Sequence, residues 1–222
     1  MPFADAMLVA LPDQVDAVAA ASVADNVSDA YRHVGPYLPT LLSEDPSARV
    51  LILAGLEPRP AFTTSVSLYT GLIARALGAR HVDLVDSRPD VCARAERLGL
   101  RPFSPGDLAQ VDPAPLVVDA SGTPAGLVAA LRHTAADGRC SSVGGLHTRV
   151  PLPYLEAYLR NVTIHIGHSH ARAMIPEVLS LMVDGGLQPE LVTTQVAAVD
   201  NAVEALDQHC RDGAIKTILT AS

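Results

Sequence analysis

The stretch Val50-Leu51-Ile52-Leu53-Ala54 is a continuous apolar run, and it decides the fold of this 222-residue chain. A strand that is buried on both faces has this pattern, because helices cover both faces of a parallel sheet. A helical pattern over 66–77 follows and ends at Gly78, and a second apolar run begins at His81. A strand, a crossover helix and a second strand in this order predict a parallel sheet.

Strand and helix patterns continue to alternate as far as residue 186. Further strands are predicted at 115–119, 139–143 and 162–166, and further helices at 90–98, 123–134, 154–159 and 170–184. We therefore predict an α/β fold with a doubly wound, Rossmann-type parallel sheet. A ligand of such a sheet lies at the carboxyl ends of the strands, near the switch in strand order.

The same patterns divide the chain into three parts. Residues 49–186 form the predicted Rossmann-type domain. Residues 1–48 are predicted to hold a strand at 6–11 and helices at 15–34 and 36–42 that join this domain. Residues 187–222 are predicted to hold a strand at 191–199, a helix at 202–209 and a final strand at 215–219. We interpret the two terminal parts as short remnants of a second domain.

Composition excludes several classes of function. The net charge of −8 and the 4% aromatic content argue against a surface for nucleic acid or anionic membrane. No apolar run is long enough to span a membrane. The three cysteines, Cys92, Cys140 and Cys210, show no CxxC spacing, so we predict no disulfide framework and a reduced, cytoplasmic location. Sequence motifs of hydrolases, nucleotide triphosphatases and zincins do not occur.

Several segments, in a specific order and spacing, resemble the cofactor-binding portion of the zinc-type medium-chain alcohol dehydrogenases. They are DAMLVALP (5–12), AASVAD (20–25), ARALGA (74–79), VVDASGT (117–123), VGG (143–145), AVEAL (202–206) and KTIL (216–219). The resemblance runs over nearly the whole chain and implies the Rossmann fold already predicted. The N-terminal catalytic domain of that family, which carries the zinc ligands, has no counterpart among these residues.

The resemblance places only Asp25 at a position that binds zinc in the family. A catalytic zinc site needs three protein ligands and an open position, so we predict no metal and a zinc-independent chemistry. The alternative for Asp25 is a carboxylate inside or capping a helix. At i and i+8 of the predicted helix, Asp25 and His33 are expected to lie on roughly one helical face, where they could share a pocket.

The phosphate-binding loop also departs from the family. Its three glycines, counted back from Gly78, fall at Phe62, Thr64 and Ser67, and all three are substituted. Because those glycines let the backbone approach a pyrophosphate, we expect no tight binding of NAD in the usual pose and most simply no cofactor. Arg59 and the following helix N-terminus would compensate in part.

If a cofactor binds, the resemblance favours NAD over NADP, because Asp86 ends the second strand where the family's acidic residue holds the ribose hydroxyls. The alternative is that Asp86 caps the helix that starts near Pro89. The candidate cofactor-binding residues implied by the resemblance are Asp86, Ser121, Gly122, Gly144 and Gly145.

Histidines supply the candidate acid–base groups. His168 and His170 follow Gly167 at the carboxyl end of a predicted strand, with no carboxylate or cysteine at a short spacing that would complete a metal site. His147 lies in the loop that the resemblance places beside the nicotinamide site. We predict catalytic roles for Asp25, His147, His168 and His170, and a surface or capping role is the alternative.

Three functions remain open. The first is a repurposed enzyme that carries out isomerase, cyclase or lyase chemistry on a small molecule in the old cofactor cleft. The second is an NAD-dependent oxidoreductase with an altered phosphate loop, and the third a non-catalytic binding protein. We favour the first, because the zinc ligands and loop glycines are absent together.

The resemblance also predicts a homodimer through the sheet edge near Val162–Ile166, with no nucleic-acid or membrane partner.

Overall fold

The computed structural model describes residues 7–58, 63–144 and 149–221 and contains a six-stranded parallel sheet of order β3-β2-β1-β4-β5-β6. Its strands are β1 (Arg49–Gly55), β2 (His81–Asp86), β3 (Arg101–Phe103), β4 (Ala114–Asp119), β5 (Thr134–Ser142) and β6 (Thr163–Ile166). The strand order reverses between β1 and β4, as in a Rossmann fold. The predicted α/β class is confirmed.

Eight α-helices are described. They are α1 (Ser28–Val34), α2 (Leu38–Glu44), α3 (Thr64–Ala76), α4 (Pro89–Arg97), α5 (Pro124–Arg132), α6 (Tyr154–Leu159), α7 (Ala171–Val183) and α8 (Ala202–Asp212). Short 3-10 helices occupy 19–22, 105–110, 189–192 and 199–201, and a π-helix occupies Val23–Val27.

Helices cover both faces of the sheet, as the apolar run in β1 predicts. Val50 and Ile52 point into a core cluster with α1, α3 and α7, whereas Leu51 and Leu53 point into a second cluster with α5. All four side chains are fully buried. Alternation of side chains along a strand therefore lets β1 contribute to both layers of the core.

Strand β3 is a strand that the sequence analysis missed. It has three residues, pairs with β2 at the edge of the sheet and contains Pro102. Proline lacks a backbone N–H and is tolerated at sheet edges, so neither length nor composition signals this strand.

The N-terminal part departs from the prediction in two places. The predicted strand at 6–11 is wrong in its described part: residues 8–12 have no regular structure, and Met7 and Leu8 are exposed. No described strand lies beside them to pair with their backbone groups. The single helix expected over 15–34 is instead a 3-10 helix, the π-helix and α1. Even so, Val27 and Val34 pack in the same core cluster as Val50.

A second, two-stranded parallel sheet pairs β7 (Gln195–Ala198) with β8 (Thr217–Thr220). It agrees with the strands predicted near 191–199 and 215–219. Among the described residues, no helix has the length and apolar character to cross a membrane.

Candidate functional site

The carboxylate of Asp86, at the end of β2, is bound by a guanidinium of this same chain. Arg88 donates from Nε to Oδ1 at 2.9 Å and from Nη2 to Oδ2 at 2.6 Å, and its backbone N–H donates to Oδ1 at 2.8 Å. The Asp86 side chain is completely buried. Asp86 therefore closes a turn before α4, as in the capping alternative, and it holds a bidentate ion pair where the resemblance places a ribose.

Arg88 also reaches the phosphate-loop region. Its Nη1 donates to Thr64 Oγ1 at 2.9 Å, at the start of α3. Phe62 and Arg59 lie outside the described residues. Ser67 is fully buried, and its Oγ donates to the carbonyl oxygen of Thr64 at 2.7 Å. The hydroxyl thus turns back onto its own helix, and a serine is accommodated at this substituted glycine position.

Hydrogen-bonded side chains bridge the crevice between β1 and β4, the switch point of the sheet. The buried Thr63 hydroxyl, just before α3, donates to the carbonyl oxygen of Ala120, just after β4. Beside this bridge, Asp119 accepts hydrogen bonds from Ser121 Oγ at 2.6 Å and from Ser142 Oγ at 2.9 Å. These contacts occupy the crevice in which this fold class binds its ligands.

Of the predicted cofactor-binding residues near this crevice, one hydrogen-bonds to Asp119 and two glycines adopt backbone conformations with positive φ. Ser121 is engaged with Asp119, and Gly122 has a φ of 65°. Gly144 has a φ of 42°, and a Cβ there would lie 3.1 Å from Ser142 Oγ. Both glycines therefore have a conformational reason for their presence. Gly145 and His147 lie outside the described residues.

The remaining catalytic candidates are not joined to one another by any described contact. Asp25 is exposed and accepts a 3.3 Å hydrogen bond from Asn26. His168 is exposed and donates from Nδ1 to the carbonyl oxygen of Ser169 at 3.1 Å, and His170 is the exposed N-cap of α7. Their catalytic roles stay predictions.

The shared helical face predicted for Asp25 and His33 is wrong. Asp25 is exposed, whereas His33 is fully buried. The π-helix over Val23–Val27 is the reason, because a π-turn holds more residues than an α-turn and changes which side chains share a face.

A polar network that the sequence analysis did not assemble lies between α1 and the carboxyl ends of β5 and β6. On α1, Arg32 donates from Nε to Asp29 Oδ1 at 3.1 Å, and its Nη2 lies 3.2 Å from His33 Nε2. His33 Nδ1 lies 2.7 Å from Ser141 Oγ, which lies 3.1 Å from His165 Nδ1. The spacing of Asp29, Arg32 and His33 at i, i+3 and i+4 was the available signal.

The chemistry of Arg32 sets the direction of every hydrogen bond in this network. A guanidinium only donates, so His33 Nε2 accepts and the proton of that ring is on Nδ1. His33 Nδ1–H then donates to Ser141 Oγ, and the Ser141 hydroxyl donates to His165 Nδ1. His165 is left with its proton on Nε2.

Burial and charge keep both histidines neutral. Burial, with the nearby Arg32 and His165, lowers the pKa of His33 to about 3. Burial also lowers the pKa of His165, to which Arg32 and Arg139 add. Burial raises the pKa of Asp29 despite the opposing Arg32. A carboxyl with a raised pKa on α1 and a neutral histidine on β6 thus belong to one network, a combination typical of acid–base sites.

A cavity of about 590 Å³ lies beside the phosphate-loop region. Thr64, Ser65 and Arg88 line it from the N-terminal ends of α3 and α4, and His209 and Cys210 line it from α8. Arg88, rather than the Asp86 that it binds, faces this space. Within the described ranges, no three His, Cys, Asp or Glu side chains are grouped so as to hold a metal ion.

Comparison with solved structures supports the fold independently. An alcohol dehydrogenase from Thermus sp. ATN1 superposes with a TM-score of 0.85 at 25% identity, over 99% of this chain and 64% of the other. An alcohol dehydrogenase from E. coli in complex with NADH superposes with a TM-score of 0.80 at 15% identity, over 96% of this chain and 62% of the other. The 2R,3R-butanediol dehydrogenase of Bacillus subtilis superposes with a TM-score of 0.77 at 18% identity, over 96% of this chain and 60% of the other.

These matches confirm, for the fold, the resemblance to the cofactor-binding portion of zinc-type medium-chain alcohol dehydrogenases. The chain spans less than two thirds of the length of each of the three structures. No protein-family model matches the sequence, and no curated protein matches it either.

His33 predicts how stability depends on pH. Its folded pKa of about 3 lies below the ordinary 6.5, so between these values the unfolded chain binds more protons. The free energy of unfolding should therefore fall as pH drops from 6.5 towards 3, by up to about 1.4 kcal/mol per pH unit from this group. Urea unfolding of His33→Asn should show a shallower acid slope than the wild type. His81→Asn, at an exposed histidine, should keep the wild-type slope, and equal slopes for all three proteins would contradict the assignment.

Proposed function

We propose that this chain is a small-molecule enzyme whose zinc-independent acid–base chemistry takes place at the carboxyl edge of its sheet, without a dinucleotide bound in the usual pose. The reaction class is that of isomerases, cyclases or lyases. The observation that carries the proposal is the buried ion pair of Asp86 with Arg88. A ribose diol would bind both carboxylate oxygens, but the guanidinium and the backbone N–H of Arg88 already fill Oδ1 and take one of the two lone pairs of Oδ2.

The bridged crevice supports the same conclusion. A dinucleotide that crosses the switch point would displace the contact of Thr63 with Ala120 and would lie over the hydroxyl groups that serve Asp119. Displacing hydrogen bonds to a buried carboxylate carries a desolvation penalty unless the ligand replaces them.

The acid–base groups of the proposed site are Asp29 and His165. Burial raises the pKa of the Asp29 carboxyl, which favours its use as a proton donor or acceptor towards a substrate. A neutral histidine that holds its proton on Nε2 can donate a hydrogen bond to a carbonyl or hydroxyl oxygen. Together they could move a proton on a substrate carbon next to a carbonyl group, as isomerisation and elimination require. Asp25, His168 and His170, with His147 in the preceding loop, remain candidates to complete this site.

An NAD-dependent oxidoreductase is the second candidate. The cavity of about 590 Å³ beside Arg88 favours it, and one structural neighbour is in complex with NADH. In this alternative, part of the site would come from residues beyond this portion of the fold, since the neighbours are longer. A non-catalytic binding protein is the third candidate.

Titration with NADH separates the first two candidates. We expect no saturable change in NADH fluorescence at micromolar protein and cofactor, because Arg88 already occupies three of the about four lone-pair positions of Asp86. Arg88→Met, which releases Asp86, is the matched variant, and Arg211→Met, at an exposed ion pair, is the control. Saturable micromolar binding of NADH to the wild type would overturn the proposed function in favour of the oxidoreductase.

We also propose that the protein works as a homodimer in the cytoplasm. Strand β6 is the outermost strand of the described sheet, and Ile166, Tyr158 and Leu159 near it are 62%, 69% and 72% exposed. An unpaired edge with apolar neighbours is an aggregation liability unless another chain covers it. All three cysteines are free thiols, which agrees with a reducing compartment.

The dimer has a direct test in solution mass. Light scattering over a hundredfold range of concentration should give twice the 23.2 kDa chain mass. Ile166→Lys should shift the mass towards the monomer, because it places a charge at the proposed contact, whereas Val203→Lys on α8 should not. A monomer mass at every concentration would refute the dimer.

A further inference from the structure

The guanidinium of Arg32 is buried but incompletely satisfied. The residue is 6% exposed. Its Nε donates to Asp29 and its Nη2 to His33, but Nη1 makes no hydrogen bond within the described part of the chain. Because Nη1 has no partner there, it would count as a buried unsatisfied atom if it were sealed from solvent, and it does not. One strong donor of a buried cation therefore still faces solvent.

Gly167 leaves this donor accessible. It directly follows β6, and a Cβ built on it would lie 3.5 Å from Arg32 Nη1. Its φ is not positive, so the turn itself does not demand glycine. A longer side chain at this position would cover Nη1, whereas glycine keeps the path to it open.

A second polar group that makes no hydrogen bond of normal length lies nearby. Ser169 Oγ is buried and makes no hydrogen bond within the normal distance, although it is close enough to Asp29 to lower the pKa of that carboxyl slightly against the effect of burial. Ser169 also precedes the 13-residue helix α7, whose N-cap, His170, makes no side-chain cap. The positive end of this helix therefore faces the same region.

The charges around this region favour an anion. Arg139 stacks over the ring of Tyr37 at 3.8 Å, and that ring meets His165 edge-on at 6.1 Å. The cation at Arg139 adds to that at Arg32, and the electrostatic effect of both on His165 is the same in sign. Asp29 balances only part of this charge.

We propose that Arg32 Nη1, Ser169 Oγ and the N-terminus of α7 bind the carboxylate group of a small organic acid, and hold its reactive carbon beside Asp29 and His165. This inference rests on the proposed function and adds the substrate class. A carboxylate accepts two hydrogen bonds in one plane, which suits a guanidinium nitrogen and a hydroxyl. Its charge also complements Arg32, Arg139 and the helix end.

The test compares acids with their uncharged amides. Acetate and benzoate are titrated against acetamide and benzamide, while NMR follows the Arg32 Nε–H and His165 ring signals in the intact protein. We expect saturable shifts of both signals with either acid, at about millimolar concentrations, and no shift with the amides. Each acid differs from its amide in charge but hardly in shape.

Variants locate the binding without removing the cation. Gly167→Leu should weaken binding of benzoate about tenfold or more, since its side chain covers Nη1 while Arg32 keeps its contacts with Asp29 and His33. Gly106→Leu is the matched control, because that exposed glycine lies in the 3-10 helix between β3 and β4, where an added Cβ meets only Ser104. Its affinity should equal that of the wild type.

Three results would overturn the proposal: equal effects of acids and amides, equal affinity of Gly167→Leu and wild type, or shifts that centre on Arg88 instead of Arg32. Arg32→Lys serves as a second variant only if its unfolding transition stays cooperative. If no acid binds at Arg32 and NADH does not bind either, this site is refuted but the proposed function stands. If NADH binds and acids also bind at Arg32, the proposed function is refuted but the carboxylate site is confirmed.

Discussion

Burial of three aspartates in the parallel sheet is the constraint on which the rest of the site depends. Asp83, Asp86 and Asp119 are each about 1% exposed. A buried carboxylate is tolerated only where cations or hydrogen-bond donors replace its water. Arg49 and Arg101 bind Asp83, Arg88 binds Asp86, and serine hydroxyls bind Asp119. Asp83 lies towards the amino ends of the strands, since Arg49 and Arg101 begin β1 and β3. For Asp86 and Asp119, at the carboxyl edge, the chain supplies from its own side chains what a bound cofactor would otherwise supply.

This constraint separates the two halves of the carboxyl edge. Around β1, β2 and β4, side-chain hydrogen bonds bind Asp86 and Asp119 and bridge the crevice, and the buried Ser87 Oγ alone there has no partner among the described residues. Around β5 and β6, the network that begins at Arg32 has a fixed direction and ends on His165, with one donor of Arg32 still open to solvent. Unsatisfied groups next to a satisfied framework indicate where a ligand completes the structure. The proposed chemistry is therefore placed over α1, β5 and β6, where the open donor belongs to a buried cation, instead of at the switch point.

The sequence predicts the framework of this molecule well, because the apolar run of β1 and its successors must be buried on both faces. The parallel, doubly wound sheet follows from that alternation and from the handedness of its crossovers. Strand β3 escapes prediction because three residues with Pro102 give no periodic signal. The described part of the strand expected at 6–11 fails because strand formation depends on a partner that local sequence cannot reveal.

The site was less predictable, because its contacts join distant parts of the chain. His33 and Ser141 are 108 residues apart and meet only once α1 packs across the sheet. Asp86 was correctly placed at a strand end, but its partner Arg88 was not foreseen, since Asp-Ser-Arg-Pro also fits an ordinary turn.

A double-mutant cycle on Asp86 and Arg88 tests the central claim that the chain satisfies its own carboxyl edge. The free energy of unfolding is measured for wild type, Asp86→Asn, Arg88→Met and the double variant. We predict a coupling of about 2 kcal/mol or more, because either single change leaves a buried group without its partner. A coupling near zero would mean that Asp86 is free to bind a cofactor, and it would contradict the account.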